Sequence, residues 1–305
     1  MQFVVNYHRI VEVEMGALPN FIVAGSAKCG TTTLCGALSM HPDVYVCEPK
    51  EPNFLAFDSV YQKGWGWYKS LFREGRDAAF RGEGSVAYGS PVYQQTVISR
   101  LTENLADMKI IYIVRHPIAR MESAFKSMAT YGKHREWSEE RWQDVPLSVE
   151  QAIEQDVEDV VGESLYYERV SAFIRSFSRS RVHVVFFEDY KRDPVTELNN
   201  CFDFLGAEEW EDPDIGNLHL NPSTNVRVRD TAFLKFMRTH LNTVVKAGGR
   251  IPVVSPMLKS VLRPKFDGKP LMSDAVRQKA RDRVYEDSQK LLALCGKPAD
   301  YWRFE

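Results

Sequence analysis

Residues 25–33 read Gly25-Ser26-Ala27-Lys28-Cys29-Gly30-Thr31-Thr32-Thr33 and directly follow the apolar residues 21–24. This pattern predicts a strand at 21–24, a turn bounded by glycines, and a helix from Thr31 to Leu38. Backbone N–H groups at such a turn, together with the N-terminus of a helix, attract anions. The sequence therefore predicts a phosphate-binding loop at the carboxyl end of the first strand.

The loop has the glycine spacing of a nucleotide P-loop, G-x-x-x-x-G-K-[ST], but it lacks the lysine at the usual position. Gly25 and Gly30 are correctly separated, while Thr31 stands where that lysine would be. The loop's only lysine is Lys28, which would lie on the other side of a bound phosphate, near the group attached to it. We therefore expect binding of a nucleotide phosphate without the usual arrangement for ATP hydrolysis.

The composition indicates one large α/β domain that comprises residues 1–305. The chain has 305 residues, of which 44% are hydrophobic, enough to form a full core. Strands alternate with helices, and residues 109–114 form a continuous apolar run typical of a strand buried on both faces. We predict a three-layer P-loop fold with a central parallel sheet flanked by helices.

Charge and cysteine content limit the possible partners and predict a location. The net charge of −2 creates no field that would favour nucleic acid or a membrane surface. Five cysteines, an odd number without metal-ligand spacing, predict free thiols and no metal site. With no basic and apolar leader pattern at the N-terminus, these features predict a cytoplasmic protein.

A second anion site is predicted after residues 109–114. Arg115 follows the carboxyl end of that strand, and Ser123 lies in the next predicted helix, at about residues 118–130. Ligands of open α/β sheets bind beyond the carboxyl ends of strands, and an arginine fork with a hydroxyl group suits a phosphate. An arginine here, taken alone, more often pairs with a surface carboxylate. Two anion sites together favour a nucleotide with two separate phosphate groups.

The two motifs resemble those of the sulfotransferase family. Residues 27–32 resemble its 5′-phosphosulfate loop, and residues 115–123 resemble its 3′-phosphate motif. The resemblance is closest to the heparan-sulfate-like and bacterial small-molecule branch, and it extends over His41-Pro42, Lys50-Glu51-Pro52-Asn53-Phe54-Leu55, Gly66-Trp67-Tyr68, residues 83–88, Phe204-Leu205-Gly206 and Trp302. It implies the sulfuryl donor 3′-phosphoadenosine 5′-phosphosulfate (PAPS), the product 3′-phosphoadenosine 5′-phosphate (PAP), and no metal.

The resemblance also implies a role for each motif residue. Lys28 would contact the oxygen that bridges phosphate and sulfate and would offset charge as that bond breaks. Arg115 and Ser123 would bind the 3′-phosphate. The nucleotide's 5′ end would be held by the loop residues Lys28, Cys29, Gly30, Thr31, Thr32 and Thr33. A late basic residue would close over the donor, the candidates being Arg227, Arg229, Lys259, Arg263 and Lys265.

Glu51 is the predicted general base, because it matches the glutamate that the heparan-type branch uses for this purpose. The alternative interpretation is a loop carboxylate paired with Lys50, and His116 is the next candidate for the base. One departure from the branch is Gly84, which stands where a lysine usually helps to hold an anionic acceptor. This departure argues against a polysaccharide acceptor.

The segment 136–163, predicted to be helical and to border the acceptor cleft, carries ten carboxylates and one basic residue. Such a surface would attract a cationic small molecule, although a solvated helix face explains the pattern equally well. We predict a sulfotransferase that acts on a hydroxyl of a small-molecule acceptor, such as a natural product. The alternatives are sulfation of an amine or a glycan, a small-molecule P-loop kinase, and a non-catalytic nucleotide-binding protein.

Overall fold

Five parallel strands form one sheet in the computed structural model, which describes residues 18–131, 148–210 and 271–304. The strand order is β2-β3-β1-β4-β5, and each neighbouring pair is parallel. The strands are β1 (Phe21–Gly25), β2 (Val44–Val46), β3 (Phe80–Glu83), β4 (Lys109–Val114) and β5 (Val182–Phe186).

Helices connect the strands and cover the sheet, which confirms the predicted α/β fold with a central parallel sheet flanked by helices. In the described residues they are α1 (Thr31–Leu38), α2 (Asp58–Tyr61), α3 (Gly64–Ser70), α4 (Gln94–Asn104), α5 (Pro117–Tyr131), α6 (Val149–Glu154), α7 (Tyr167–Phe177), α8 (Phe187–Arg192), α9 (Pro194–Leu205) and α10 (Asp274–Leu294).

The two central strands, β1 and β4, are buried because helices cover both faces of the sheet. Every residue of β1 is buried, and so are residues 110–114 of β4. A strand covered on both faces requires an unbroken apolar sequence rather than alternation. A second apolar cluster lies between α5, α6 and α10 and includes Met121, Ile153 and Val284.

The carboxyl ends of all five strands lie along one edge of the sheet. Gly25 pairs with Ile113, Val114 with Phe186, and Val46 with Gly82. Strand β1 lies between β3 and β4, so the chain leaves it at the point where the strand order reverses, which is where open α/β sheets bind their ligands. The segments that follow the strands are therefore brought together at this edge.

Candidate functional site

The loop after β1 has a backbone conformation suited to an anion. Lys28 and Gly30 both have positive φ angles, of 75° and 96°, and α1 begins directly afterwards at Thr31. A Cβ atom at Gly30 would lie 2.8 Å from two carbons of the Phe187 ring, so a side chain there would meet both steric and backbone strain. Left-handed residues that alternate with right-handed ones turn successive N–H groups towards one point, as in other phosphate loops.

Arg115 joins the two predicted phosphate sites. Its Nη1 donates a hydrogen bond of 3.0 Å to the carbonyl oxygen of Lys28, and its guanidinium lies 5.0 Å from the centroid of the Phe187 ring. Ser123 lies in α5, the helix that begins two residues after Arg115. The structure therefore places the predicted 3′-phosphate arginine directly against the predicted 5′-phosphate loop.

Arg120 supports the loop from the protein interior, a role that sequence reasoning missed. It is only 1% exposed, and its Nε donates to the carbonyl oxygen of Ala27 at 3.0 Å. Its Nη1 donates to the carbonyl of Val160 and to Oγ of Ser164, and Glu163 lies 3.8 Å from Nη2. The signal was present, because Arg120 falls inside the motif 115–123, but sequence does not distinguish an arginine that holds ligand from one that holds backbone.

Cys29 points into the core and not into the anion site. Its side chain is buried, its Sγ lies 3.8 Å from the Tyr166 hydroxyl, and its backbone N–H donates to the carbonyl of Ser26. Burial raises the pKa of the Cys29 thiol to about 11, so the group is a neutral thiol at neutral pH. This favours the interpretation of Cys29 as a small residue in a tight turn over that of a nucleophile.

Glu51 lies beside the phosphate loop, in the segment that follows β2. Its Oε1 is 2.8 Å from Nζ of Lys50, and the same Nζ is 3.4 Å from Oγ1 of Thr31, the first residue of α1. The Glu51 side chain is 27% exposed, so it lies at the surface of the site and is not sealed inside it. Glu51 thus lies close to the predicted donor loop and is also paired with Lys50.

A buried carboxylate fixes the segment that carries Glu51. Glu83 is fully buried and accepts hydrogen bonds from the hydroxyls of Tyr68 (2.6 Å), Tyr88 (2.5 Å) and Ser85. Burial raises the pKa of Glu83 to about 7, although these three hydrogen bonds act in the opposite direction. The carboxyl group is thus at the centre of a hydrogen-bond network inside the protein.

This network reaches the backbone after Glu51. Ser85 Oγ accepts a hydrogen bond from the N–H of Asn53 at 3.0 Å, and the Tyr88 hydroxyl accepts one from the N–H of Leu55 at 3.1 Å. Asn53 has a positive φ of 55°, so its conformation depends on such support. The loop that carries Glu51 is therefore held by hydrogen bonds to the buried network around Glu83.

A family model for the sulfotransferase domain matches residues 18–220, about two thirds of the chain. The chain belongs to the sulfotransferase family. This confirms the resemblance predicted from the two motifs and the donor that it implies, PAPS. Individual residue roles within the site stay predictions.

The sulfotransferase is similar to several known proteins. It is 28% identical over 198 residues to a human protein named heparan sulfate glucosamine 3-O-sulfotransferase 3B1, a match that covers 63% of this chain and 47% of that protein. The chain thus spans about half the length of the curated relatives it matches. A crystal structure of a sulfotransferase from Alicyclobacillus acidocaldarius has the same fold, with a TM-score of 0.65 and 22% identity over 94% of this chain and 99% of that one.

The predicted cytoplasmic location is contradicted by the comparisons. The similar proteins include the heparan sulfate enzyme above and, in Dictyostelium discoideum, a protein named membrane-associated sulfotransferase kil1, which is 32% identical over 38% of this chain and 24% of that protein. These relatives point away from the cytoplasm. The prediction rested on the free cysteines and on the N-terminal pattern, and buried thiols such as Cys29 persist in any compartment because oxidants do not reach them.

His116 packs in the sulfotransferase and does not face the anion loop as a base would. Its Nε2 is 2.9 Å from the carbonyl oxygen of Arg303, and its ring lies against Trp302 and Phe304. Its backbone N–H donates to Glu188 at 2.8 Å, and burial lowers the pKa of the His116 imidazole. Glu51 therefore remains the better candidate for the base.

Three carboxylates of the acidic segment form ion pairs with the last helix, α10. Lys279 binds Glu150 and Glu154 at 3.2 and 2.7 Å, and Arg283 binds Asp156 at 2.9 Å. The described part of the segment, residues 148–163, forms α6 followed by turns and is not one continuous helix. Residues 136–147 and the five late basic candidates lie outside the described residues. Because Glu150, Glu154 and Asp156 are paired within the protein, these three carboxylates give little support to a preference for a cationic acceptor.

Within residues 18–131, 148–210 and 271–304, no group of three or more His, Cys, Asp or Glu side chains is placed to hold a metal ion. In the same ranges, no helix combines the length and the apolar character needed to span a bilayer.

Proposed function

We propose that this sulfotransferase moves a sulfuryl group from PAPS to a hydroxyl of a small-molecule acceptor. The observation that carries the proposal is the hydrogen bond from Arg115 to the carbonyl of Lys28, which joins an arginine at the end of β4 to the phosphate loop after β1. A nucleotide with phosphates at both its 5′ and 3′ positions requires two anion sites of this kind side by side. The neighbouring Glu51 supplies the carboxylate that proton removal requires.

The residues present suit PAPS. Glycine at position 30 allows the loop to pack against Phe187, where a Cβ would clash, and α1 begins directly afterwards with its N-terminal N–H groups. In this assignment Lys28, Gly30, Thr31, Thr32 and Thr33 hold the 5′ end. Arg115 and Ser123 hold the 3′-phosphate, and Cys29 contributes as a small, buried residue of the turn.

Sulfuryl transfer requires mainly that the protein position the donor and the acceptor and stabilise the negative charge that develops. Bound PAPS supplies a sulfuryl group that is already attached to a phosphate leaving group. Lys28 offsets the negative charge at the loop, and Glu51 takes the proton of the acceptor hydroxyl as that oxygen bonds to sulfur. Preorganised groups of this kind reduce the barrier because they need not rearrange during transfer.

The acceptor has two candidate classes. Gly84 favours a small, uncharged alcohol, because it stands where a lysine would help to hold an anionic acceptor, whereas the relatives named for heparan sulfate glucosamine favour a glycan hydroxyl. Sulfation of an amine would use the same base and donor. A kinase is disfavoured because Thr31 replaces the P-loop lysine. Turnover on a panel of neutral alcohols, amines and glycosaminoglycan oligosaccharides would distinguish these classes.

Calorimetric titration without metal tests the proposed donor. We expect PAP to bind at micromolar concentration or tighter, and AMP, which lacks the 3′-phosphate, to bind at least tenfold more weakly. Magnesium-ATP is the control for a kinase. A preference for magnesium-ATP over PAP would overturn the proposal, and binding of PAP without transfer to any acceptor would indicate a non-catalytic relative.

Glu51→Gln tests the proposed base. The amide cannot accept a proton, so we expect the rate of transfer to fall by about 10²–10⁴ while the affinity for PAP changes little. Initial rates with PAPS and an accepted alcohol, beside a PAP titration of the same variant, measure the two effects. Undiminished transfer in this variant would place the base elsewhere.

A further inference from the structure

Lys50 is placed between the phosphate loop and the candidate base. Its Nζ lies 3.4 Å from Thr31 Oγ1 and 2.8 Å from Glu51 Oε1, and its side chain is 17% exposed. An ammonium group has three N–H donors, and within the described residues Thr31 and Glu51 accept two of those of Lys50. The third donor is suited to an anion bound at the mouth of the loop.

Gly84 explains how Lys50 reaches this place. A Cβ atom at position 84 would lie 2.4 Å from Cys35 Sγ and 3.3 Å from Cε of Lys50, while the Gly84 N–H donates to the carbonyl of Lys50 at 3.1 Å. The aliphatic part of Lys50 therefore crosses the space that a side chain at 84 would enter. Position 84 follows β3 directly, and position 50 follows β2, the neighbouring strand.

We propose that Lys50 is a second cation of the sulfuryl-transfer site and that it contacts the sulfate end of the donor. The inference rests on the proposed function, since it requires PAPS in the loop. Lys50 passes across the space at Gly84, and the backbone after β2 brings its ammonium group to this edge of the sheet. A charge held here stabilises negative charge that develops as the sulfur–oxygen bond to phosphate breaks and the acceptor oxygen bonds to sulfur.

The alternative is that Lys50 only holds Glu51 in position. The two roles differ in what they predict for binding of the donor. If Lys50 only holds Glu51 in position, Lys50→Met does not change the affinity for PAPS in a protein that already carries Glu51→Gln. A cation at the sulfate end favours PAPS over PAP even then, because PAP lacks the sulfate group.

The experiment therefore uses Glu51→Gln as the background, in which PAPS is bound without being consumed. Calorimetric titrations give the affinities for PAPS and PAP with and without Lys50→Met, whose side chain has a similar length but no charge. We expect Lys50→Met to weaken PAPS binding by about tenfold or more, the usual loss for a hydrogen bond to a charged group, and PAP binding by less than threefold. Lys63→Met removes the same charge from an exposed site over the Trp67 ring and should change neither affinity.

Each outcome decides the inference separately from the function. Unchanged affinities for both nucleotides would show that Lys50 serves only Glu51. An equal loss for both would place Lys50 at the phosphate and not at the sulfate, and either result overturns the proposal. Failure of the protein with native Lys50 and Glu51 to bind PAP would instead contradict the proposed function itself.

Discussion

At the scale of single residues, the site depends on a glycine packed against an aromatic ring. Gly30 adopts a φ of 96° and lies against Phe187, the first residue of α8, whose ring also lies beneath Arg115. One phenyl ring therefore defines the shape of the loop and the position of the guanidinium. A change at Gly30 would disturb both predicted phosphate sites.

We expect Gly30→Ala to reduce the affinity for PAP by at least tenfold and to lower the free energy of unfolding by about 1–3 kcal/mol. The methyl group meets the Phe187 ring, and an L-residue is strained at positive φ. Denaturant unfolding and calorimetry measure the two effects.

Gly66→Ala is the matched control, because it lies in α3 with no atom within 4 Å of its added Cβ. There we expect a gain of about 0.5–1 kcal/mol from helix propensity. A similar loss in both variants would mean that the packing against Phe187 is unimportant.

The sequence predicted the turn between β1 and α1 but not the side chains that support it. The glycine spacing indicated this turn, because a tight turn requires particular residues at fixed positions, and the role of Lys28 stays a prediction. Arg120 and Phe187 were missed, since a buried arginine and a strand-end phenylalanine have many possible partners in a linear sequence. Their roles depend on the strand order, in which β4 lies next to β1 and β5 lies next to β4.

At the scale of secondary-structure elements, the phosphate loop is attached to α5 and to the turn at 160–164. The attachment is Arg120, which bonds to Ala27, Val160 and Ser164 and lies beside Glu163. These groups are backbone carbonyls or buried side chains, so water does not replace a contact that is lost. The loop, the helix and the turn therefore move as one unit.

We expect Arg120→Met to lower the free energy of unfolding by about 3–5 kcal/mol, because it leaves the buried Glu163 carboxylate without its cation. The affinity for PAP should also decrease, since the Ala27 carbonyl loses its donor. Chemical denaturation and PAP titration measure these changes.

Arg175→Met serves as the control, because Arg175 forms an exposed ion pair with Glu168 at 3.5 Å and should contribute less than about 1 kcal/mol. Equal stability of the two variants would contradict the supporting role of Arg120.

Elements with strong periodicity were predicted close to their observed ends. Helix α1 was predicted at the bounds the structure has, and so was strand β4, because capping and apolar runs are local signals. Strand β3 was missed because Phe80-Arg81-Gly82-Glu83 is polar and contains a glycine. That glycine is needed because a Cβ at position 82 would lie 2.4 Å from the Phe21 ring on β1, a contact that no local pattern reveals.

At the scale of the whole molecule, the buried carboxyl of Glu83 should affect how stability depends on pH. Its pKa is raised from 4.5 to about 7 by burial. In the unfolded chain the group ionises near 4.5, so between pH 4.5 and 7 the unfolded state binds fewer protons than the folded state. Stability from this group is therefore complete below pH 4.5 and is lost as pH rises to 7.

We expect the free energy of unfolding of the native sequence to fall by on the order of 3 kcal/mol across this window, relative to Glu83→Gln. Glutamine does not titrate and can still bond to the surrounding hydroxyls. Urea unfolding of both proteins at several pH values from 4.5 to 8 measures the difference. Parallel curves for the two proteins would show that Glu83 does not ionise in this range.

The convergence of distant segments was only partly accessible from sequence. Parallel strands indicated that Gly30 and Arg115 would share an edge, because both follow predicted strands. The pair of Lys50 and Thr31 required knowledge that β2 and β3 lie on the side of β1 opposite β4. Because long-range packing sets the strand order, the position of Lys50 could not be predicted from the sequence.

The strand order also separates two tasks. In the proposed assignment, the segments after β1 and β4 hold the phosphates of the nucleotide, whereas those after β2 and β3 carry Lys50, Glu51 and Gly84. Strands β2 and β3 lie on one side of β1, and β4 lies on the other. Selection or design can therefore vary the segments around Lys50 and Glu51 to accept new alcohols while the predicted phosphate sites after β1 and β4 stay unchanged, provided that these two side chains are kept.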